Sequence, residues 1–128
     1  RLPFSSILRF NYINKTHWLY QNIRRGEISH LLSNNKFNPV SLNTVVEIIE
    51  LFILEKIYGI HNLGLTQACS YLDVGEAICK HLDVSQNLLI PTTTVDTGYP
   101  YPYNSFIEPN LPLSCTNDFN LPVEISKL

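Results

Sequence analysis

Hydrophobic and polar positions along the chain fall into three unlike regions. The densest apolar stretch is Thr44 to Tyr58, where ten of fifteen positions are hydrophobic and only Glu47, Glu50, Glu55 and Lys56 interrupt the run with charge. At about 100° per residue these apolar positions occupy nearly the whole circumference of a helix, the pattern of a helix buried on most sides. Thr44 and Glu47 stand at capping-box spacing, and Gly59 stands where a helix would end. The pattern predicts a buried central helix over 44–58.

Shorter segments flank it. In Arg1–Lys15, the residues Ile7, Phe10 and Ile13 recur at helical spacing, although an extended arm fits as well. Thr16 is placed to cap a helix through Arg25 that turns Trp18, Leu19 and Ile23 inward, with Gly26 closing it. A second short helix is expected over Glu27–Ser33, followed by a loop over Asn34–Pro39. Two helical pieces are expected near 66–72 and 75–82, joined at Asp73-Val74-Gly75 and carrying the repeated tripeptide Leu72-Asp73-Val74 and Leu82-Asp83-Val84.

From Ile90 onward the pattern changes again. Six of the eight prolines lie in the last 38 residues, and Tyr99-Pro100-Tyr101-Pro102-Tyr103 reads as extended, polyproline-like chain with projecting rings. Phe106, Ile107, Leu111 and later apolar residues give this tail anchors. The fold class expected is mainly α: a small helical bundle around the 44–58 helix, forming a domain over 1–90. An extended Pro/Tyr-rich C-terminal arm, 91–128, packs on that domain or on a partner.

Composition narrows the class. The chain has 128 residues, 45% hydrophobic and 16% charged, with a net charge of −2. Whole-chain disorder needs lower hydrophobicity and higher net charge. No apolar run is long enough for a membrane-spanning helix. An Arg at position 1 and the lack of any Met suggest a processed product or a fragment, and Arg1–Phe10 has no signal-peptide pattern. The Asn- and Ile-rich, Ala-poor composition hints at AT-rich coding, which admits a viral source. Charge is uneven: residues 1–36 carry six basic side chains against Glu27 alone, whereas 37–128 carry three lysines against ten acids.

Candidate chemistry is sparse. Cys69, Cys79, Cys115 and four histidines show no C-x-x-C or H-x₃-H pair, so no metal site is expected, and three buried thiols suit a reducing intracellular compartment. Glu47 and Glu50 share a helical face but lack a companion motif for acid–base work. No glycine-rich phosphate loop and no nucleophile elbow occurs, so no catalytic residue and no cofactor is assigned. The function expected is a non-enzymatic protein-interaction or assembly module, part of a larger protein of viral or multi-subunit kind. Its partner is a protein or a second copy, bound through Tyr99, Tyr101, Tyr103 and Phe106. The alternative is a nucleic-acid-binding helical domain using Arg9, Lys15, Trp18, Arg24 and Arg25, or a helix-turn-helix-like segment over 65–82. A small enzyme without a visible motif is the third reading.

Overall fold

The computed structural model describes residues 5–96, 98, 104–112, 115 and 119–128. Its elements alternate: β1 (Ser6–Phe10), β2 (Tyr12–Ile13), α1 (Trp18–Arg25), β3 (Ser29–Leu32), β4 (Val40–Ser41), α2 (Leu42–Leu54), β5 (Gly59–Leu63), α3 (Tyr71–Leu82), a 3₁₀ turn (Gln86–Leu88), β6 (Leu89–Thr92) and α4 (Leu121–Ser126). The strands pair as β1 with β5, β2 with β4 and β3 with β6, and every pair is parallel. Parallel pairing requires long crossovers, which the helices supply. The fold is therefore α/β, and the expectation of a mainly α-helical bundle is overturned.

The reason lies in short segments whose period is ambiguous. Ile7 and Phe10 sit at helical spacing, yet Ser6–Phe10 is a strand whose partner, Gly59–Leu63, is far away in sequence. Ser29–Leu32 was expected to be helical, but it alternates, with Ser29 and Leu31 buried and His30 exposed, and it pairs with β6. Four residues with two leucines fit either period, and the distant strand decides between them.

The 44–58 segment departs from expectation in a different way. It is helical, but α2 begins at Leu42 and ends at Leu54, with Ser41 rather than Thr44 as N-cap, its hydroxyl accepting the Thr44 amide. Lys56 then takes a positive φ of 54° and Gly59 one of 100°, turning the chain into β5. Only Thr44, Val45, Ile48 and Phe52 of α2 are buried. Val46, Ile49, Ile53 and Leu54 face outward, the last two more than 70% exposed. The helix covers a sheet with one face and is not a buried hub.

Between residues 66 and 82 one helix replaces the two expected. Residues 64–70 are loop, and α3 runs unbroken through Asp73-Val74-Gly75, so the proposed helix-turn-helix has no turn. Ser70 and Asp73 form a reciprocal capping box, and Asp83 ends the helix in the left-handed region. Gly75 is there for contact: a Cβ on it would lie 2.5 Å from Leu31 Cδ1. The glycine lets α3 sit directly on β3.

The described part of the tail packs on the rest of the chain. Residues 89–92 form β6, and α4 packs on α3 and β4, burying Phe119, Glu124 and Ile125. The core joins all layers through Leu19, Leu31, Val40, Ile48, Leu63, Val74, Ile78 and Ile125.

Candidate functional site

In open α/β sheets, ligands bind in the crevice outside the carboxyl ends of the strands. Here the loops after β1, β3, β5 and β6 are tied together. The loop after β3 is the organiser, and its Asn-Asn-Lys-Phe-Asn sequence explains why. Asn34 donates to Thr94 Oγ1 at 3.1 Å and accepts the Thr94 amide, linking the loops after β3 and β6. Asn35 Oδ1 accepts the Tyr71 amide at 2.9 Å at the start of α3. Phe37 exchanges backbone hydrogen bonds with Cys69, in the loop after β5. Asn38, wholly buried, donates to the carbonyls of Leu65 and Ile107 and accepts the Ile107 amide. Asn11, after β1, donates to the Ser105 carbonyl, and the Lys36 carbonyl accepts the Ser105 amide. Residues 104–110 thus lie across the strand ends as a strap.

Beside this strap stands a group of rings. Phe37 and Tyr71 have centroids 4.7 Å apart, Trp18 and Tyr71 6.0 Å, and His17 and Tyr71 are stacked at 6.4 Å. The N-termini of α1 and α3 supply His17, Trp18 and Tyr71, and the loop after β3 supplies Phe37. His17 caps α1 by accepting the Leu19 amide at Nδ1, which requires an unprotonated Nδ1 and leaves the N–H on Nε2. Burial pushes the His17 imidazole below its ordinary pKa, favouring that neutral form. Trp18 remains half exposed, and the buried Nδ2 of Asn35 has no hydrogen-bond partner among the described residues. Flat apolar faces beside an imidazole N–H donor suit a planar, hydrogen-bonding ligand.

The residues singled out from the sequence are scattered. Arg9 donates to Asn62 Oδ1 on the neighbouring strand. Lys15 lines a depression with Asn14, Thr16, Asn43 and Lys127. Arg24 and Arg25 lie at the far end of α1, beside Val84–Leu89. Only Trp18 joins the ring group. Phe106 is half-buried in the strap, and Tyr99, Tyr101 and Tyr103 lie outside the described residues. Sequence reading missed His17, Phe37, Tyr71 and the asparagines, whose one visible sign was the density of Asn over 34–38.

All three cysteines are free and buried. Burial, with Asp73 nearby, pushes Cys69 up to about 12, and burial raises Cys79 as well. Among the described residues no group of three His, Cys, Asp or Glu could hold a metal ion, and no helix is long and apolar enough to cross a membrane.

No protein-family model matches the sequence, and no curated protein matches it. Solved structures do. A dTDP-4-dehydrorhamnose reductase from Yersinia enterocolitica aligns over 94% of this chain with a TM-score of 0.73 and 19% identity. The reductase of the same name from Bacillus anthracis, solved in complex with NADP, aligns over 83% with a TM-score of 0.62 and 22% identity. A UDP-N-acetylglucosamine 4-epimerase from Bacillus cereus aligns over 95% with a TM-score of 0.61 and 15% identity. The fold is Rossmann-like. The chain spans 47%, 38% and 42% of the lengths of those three structures.

That likeness corrects the functional expectation too. The sequence pointed to a non-enzymatic assembly module, all-α and of viral or multi-subunit kind, from a helical bundle whose arm packs on the domain or a partner. It pointed to a nucleic-acid-binding alternative from the basic segment 1–36 or a helix-turn-helix-like segment over 65–82. The α/β fold shared with reductases and an epimerase overturns that expectation. The architecture found instead is a Rossmann-like α/β fold, similar to that of the reductases and the epimerase. The dinucleotide that such folds carry finds no phosphate cradle among the described residues. Two described glycines lie between a strand end and a following helix. A Cβ on Gly64 would sit 2.2 Å from Asn38 Nδ2, so its space is filled by protein. Gly98, with φ 94° and open space around it, stands far ahead of α4 in sequence rather than at its N-terminus. Gly26 and Gly59 serve a helix end and a strand start.

Proposed function

We propose that this chain is part of an NAD(P)-dependent enzyme acting on a nucleotide-linked sugar, and that it supplies a substrate-binding side of the cleft rather than the cradle for the dinucleotide. The observation that carries the reading is the ring group of His17, Trp18, Phe37 and Tyr71, brought together from the segments after β2, β3 and β5 beside the hydrogen-bonded loops at the strand ends. This occurs in a chain that shares its fold with reductases and an epimerase of dTDP- and UDP-sugars. Rings of this kind give a base a stacking face, while the His17 Nε2–H offers a donor to its edge.

Trp18 is the only tryptophan, so its emission reports on this group alone. Titration of the native protein with dTDP or UDP is expected to quench that emission saturably at micromolar to millimolar nucleotide, and Tyr71→Ala to weaken the effect at least tenfold. Emission unchanged by either nucleotide at millimolar concentration overturns the reading.

A further inference from the structure

A hollow lies at the far end of the two helices that carry the ring group. α1 and α3 present Trp18 and Tyr71 at their N-termini, and their C-terminal ends stop beside each other. α1 ends at Gly26, with φ 73°, and α3 ends at Asp83, with φ 55°. Each end bonds back on itself: the Glu27 amide donates to the Asn22 carbonyl, and the Val84 amide to the Cys79 carbonyl. The chain then leaves the helices abruptly, toward β3 in one case and toward the 3₁₀ turn before β6 in the other. A cavity of about 260 Å³ opens between these two turns.

Its walls divide by chemistry. Ile23 and Cys79, 6% and 1% exposed, form the floor together with half-buried Leu89. Val84 and Leu88 line the sides and reach solvent. Arg24, Arg25, Glu27 and Ser85 stand exposed at the mouth. Both arginines complement the negative end of the α1 dipole, but that role needs no apolar hollow beneath them. A floor that reaches core side chains, under two guanidinium groups, is complementary to a molecule with an apolar body and an anionic head. Ligand pockets usually hold about 300–1,000 Å³, so the body that fits here is short. The planar fork of a guanidinium matches a carboxylate, and Glu27 at the same mouth repels a doubly charged head.

We propose that the cavity between the C-terminal ends of α1 and α3 binds a small amphiphilic carboxylate. Its apolar body lies against Ile23, Cys79 and Leu89, and its head meets Arg24 and Arg25. Binding takes the apolar floor out of water and pairs the head with two fixed cations, which neither a simple anion nor a neutral alkane does. The site stands apart from the enzymatic reading, because none of its residues belongs to the ring group or to the strap.

Octanoate is the probe, titrated at neutral pH into the native gene product containing these residues and followed by NMR at the Ile23, Val84, Leu88 and Leu89 methyl groups. Saturable shifts at these methyls are expected, with a Kd of about 1 mM or tighter. Octanol, which keeps the body and lacks the charge, is expected to bind at least about tenfold more weakly, and octyl phosphate more weakly than octanoate. Arg24→Gln with Arg25→Gln is expected to weaken octanoate at least about tenfold while moving the unfolding midpoint by less than about 2 °C, since both side chains are on the surface. Octanol equal to octanoate, or an unchanged affinity in the arginine variant, overturns the proposal. So do shifts that rise without saturating, shifts that centre on Trp18 and Tyr71, and octyl phosphate binding the more tightly. A titration with dTDP or UDP at Trp18 is read separately, so this site and the enzymatic reading stand or fall independently.

Discussion

At the scale of single residues, close approach and burial explain positions that composition leaves anonymous. Gly75 is the contact point of α3 on β3, and its replacement by Ala drives a methyl group toward Leu31, itself 1% exposed. Overpacking of a tight core costs about 1–3 kcal/mol, against a helix-propensity gain of at most about 1 kcal/mol. Gly75→Ala is therefore expected to destabilise by about 1 kcal/mol in urea denaturation, and Leu31→Val in the same chain to recover part of the loss. His17 makes stability depend on pH. Its folded pKa lies below the unfolded 6.5, so between the two values the unfolded chain binds more protons. The cap's contribution is complete above about pH 6.5 and is lost as pH falls through the folded value. Urea midpoints measured from pH 7.5 to 5 are expected to fall, and His17→Asn, which still caps, to flatten that fall.

At the scale of elements, α4 shows how six residues can hold a place. Glu124 is fully buried; its Oε1 accepts the Ser41 amide at 2.9 Å, at the N-terminus of α2. Its Oε2 lies 3.2 Å from the Lys127 ammonium, an attraction of charge without an aligned hydrogen bond. Lys127 in turn donates to Thr44 Oγ1 at 2.8 Å. The carboxylate thus meets the positive end of α2 and a cation together. Removing one partner of a buried pair costs about 3–5 kcal/mol. Glu124→Ala is expected at the lower end of that range in denaturant titration, because Lys127 keeps Thr44 and partial access to water. The sequence carried the helix termini well where a cap is local: Gly26 does close α1 in the left-handed region, with φ 73°. It carried them poorly at α2, because Ser41 and Thr44 are equally good caps and β4 decides between them.

At the scale of the whole molecule, the described tail belongs to the core. Phe119, Glu124 and Ile125 are buried, and Leu121 and Leu128 pack beside them. Truncation after residue 118 is expected to remove at least about 4 kcal/mol, combining a lost apolar anchor with a broken buried pair. Marginal stability makes that enough to abolish cooperative unfolding. Circular dichroism during thermal unfolding checks it; a freely hanging arm would leave the transition unchanged.

The sequence by itself determined what depends on near neighbours: a helix ending at Gly26, the helical character of the apolar run that starts at Thr44, and the burial of Cys69. Tertiary structure alone decided the rest. Whether Ser29–Leu32 is strand or helix depends on a partner some sixty residues away. Whether the outward residues of α2 are core depends on what covers them. The candidate site is legible only after folding, because its rings come from positions 17, 18, 37 and 71, joined by asparagine hydrogen bonds that leave no periodic trace. Local caps and apolar runs act over a few residues. Parallel pairing acts across the whole chain, and in this molecule it sets the architecture.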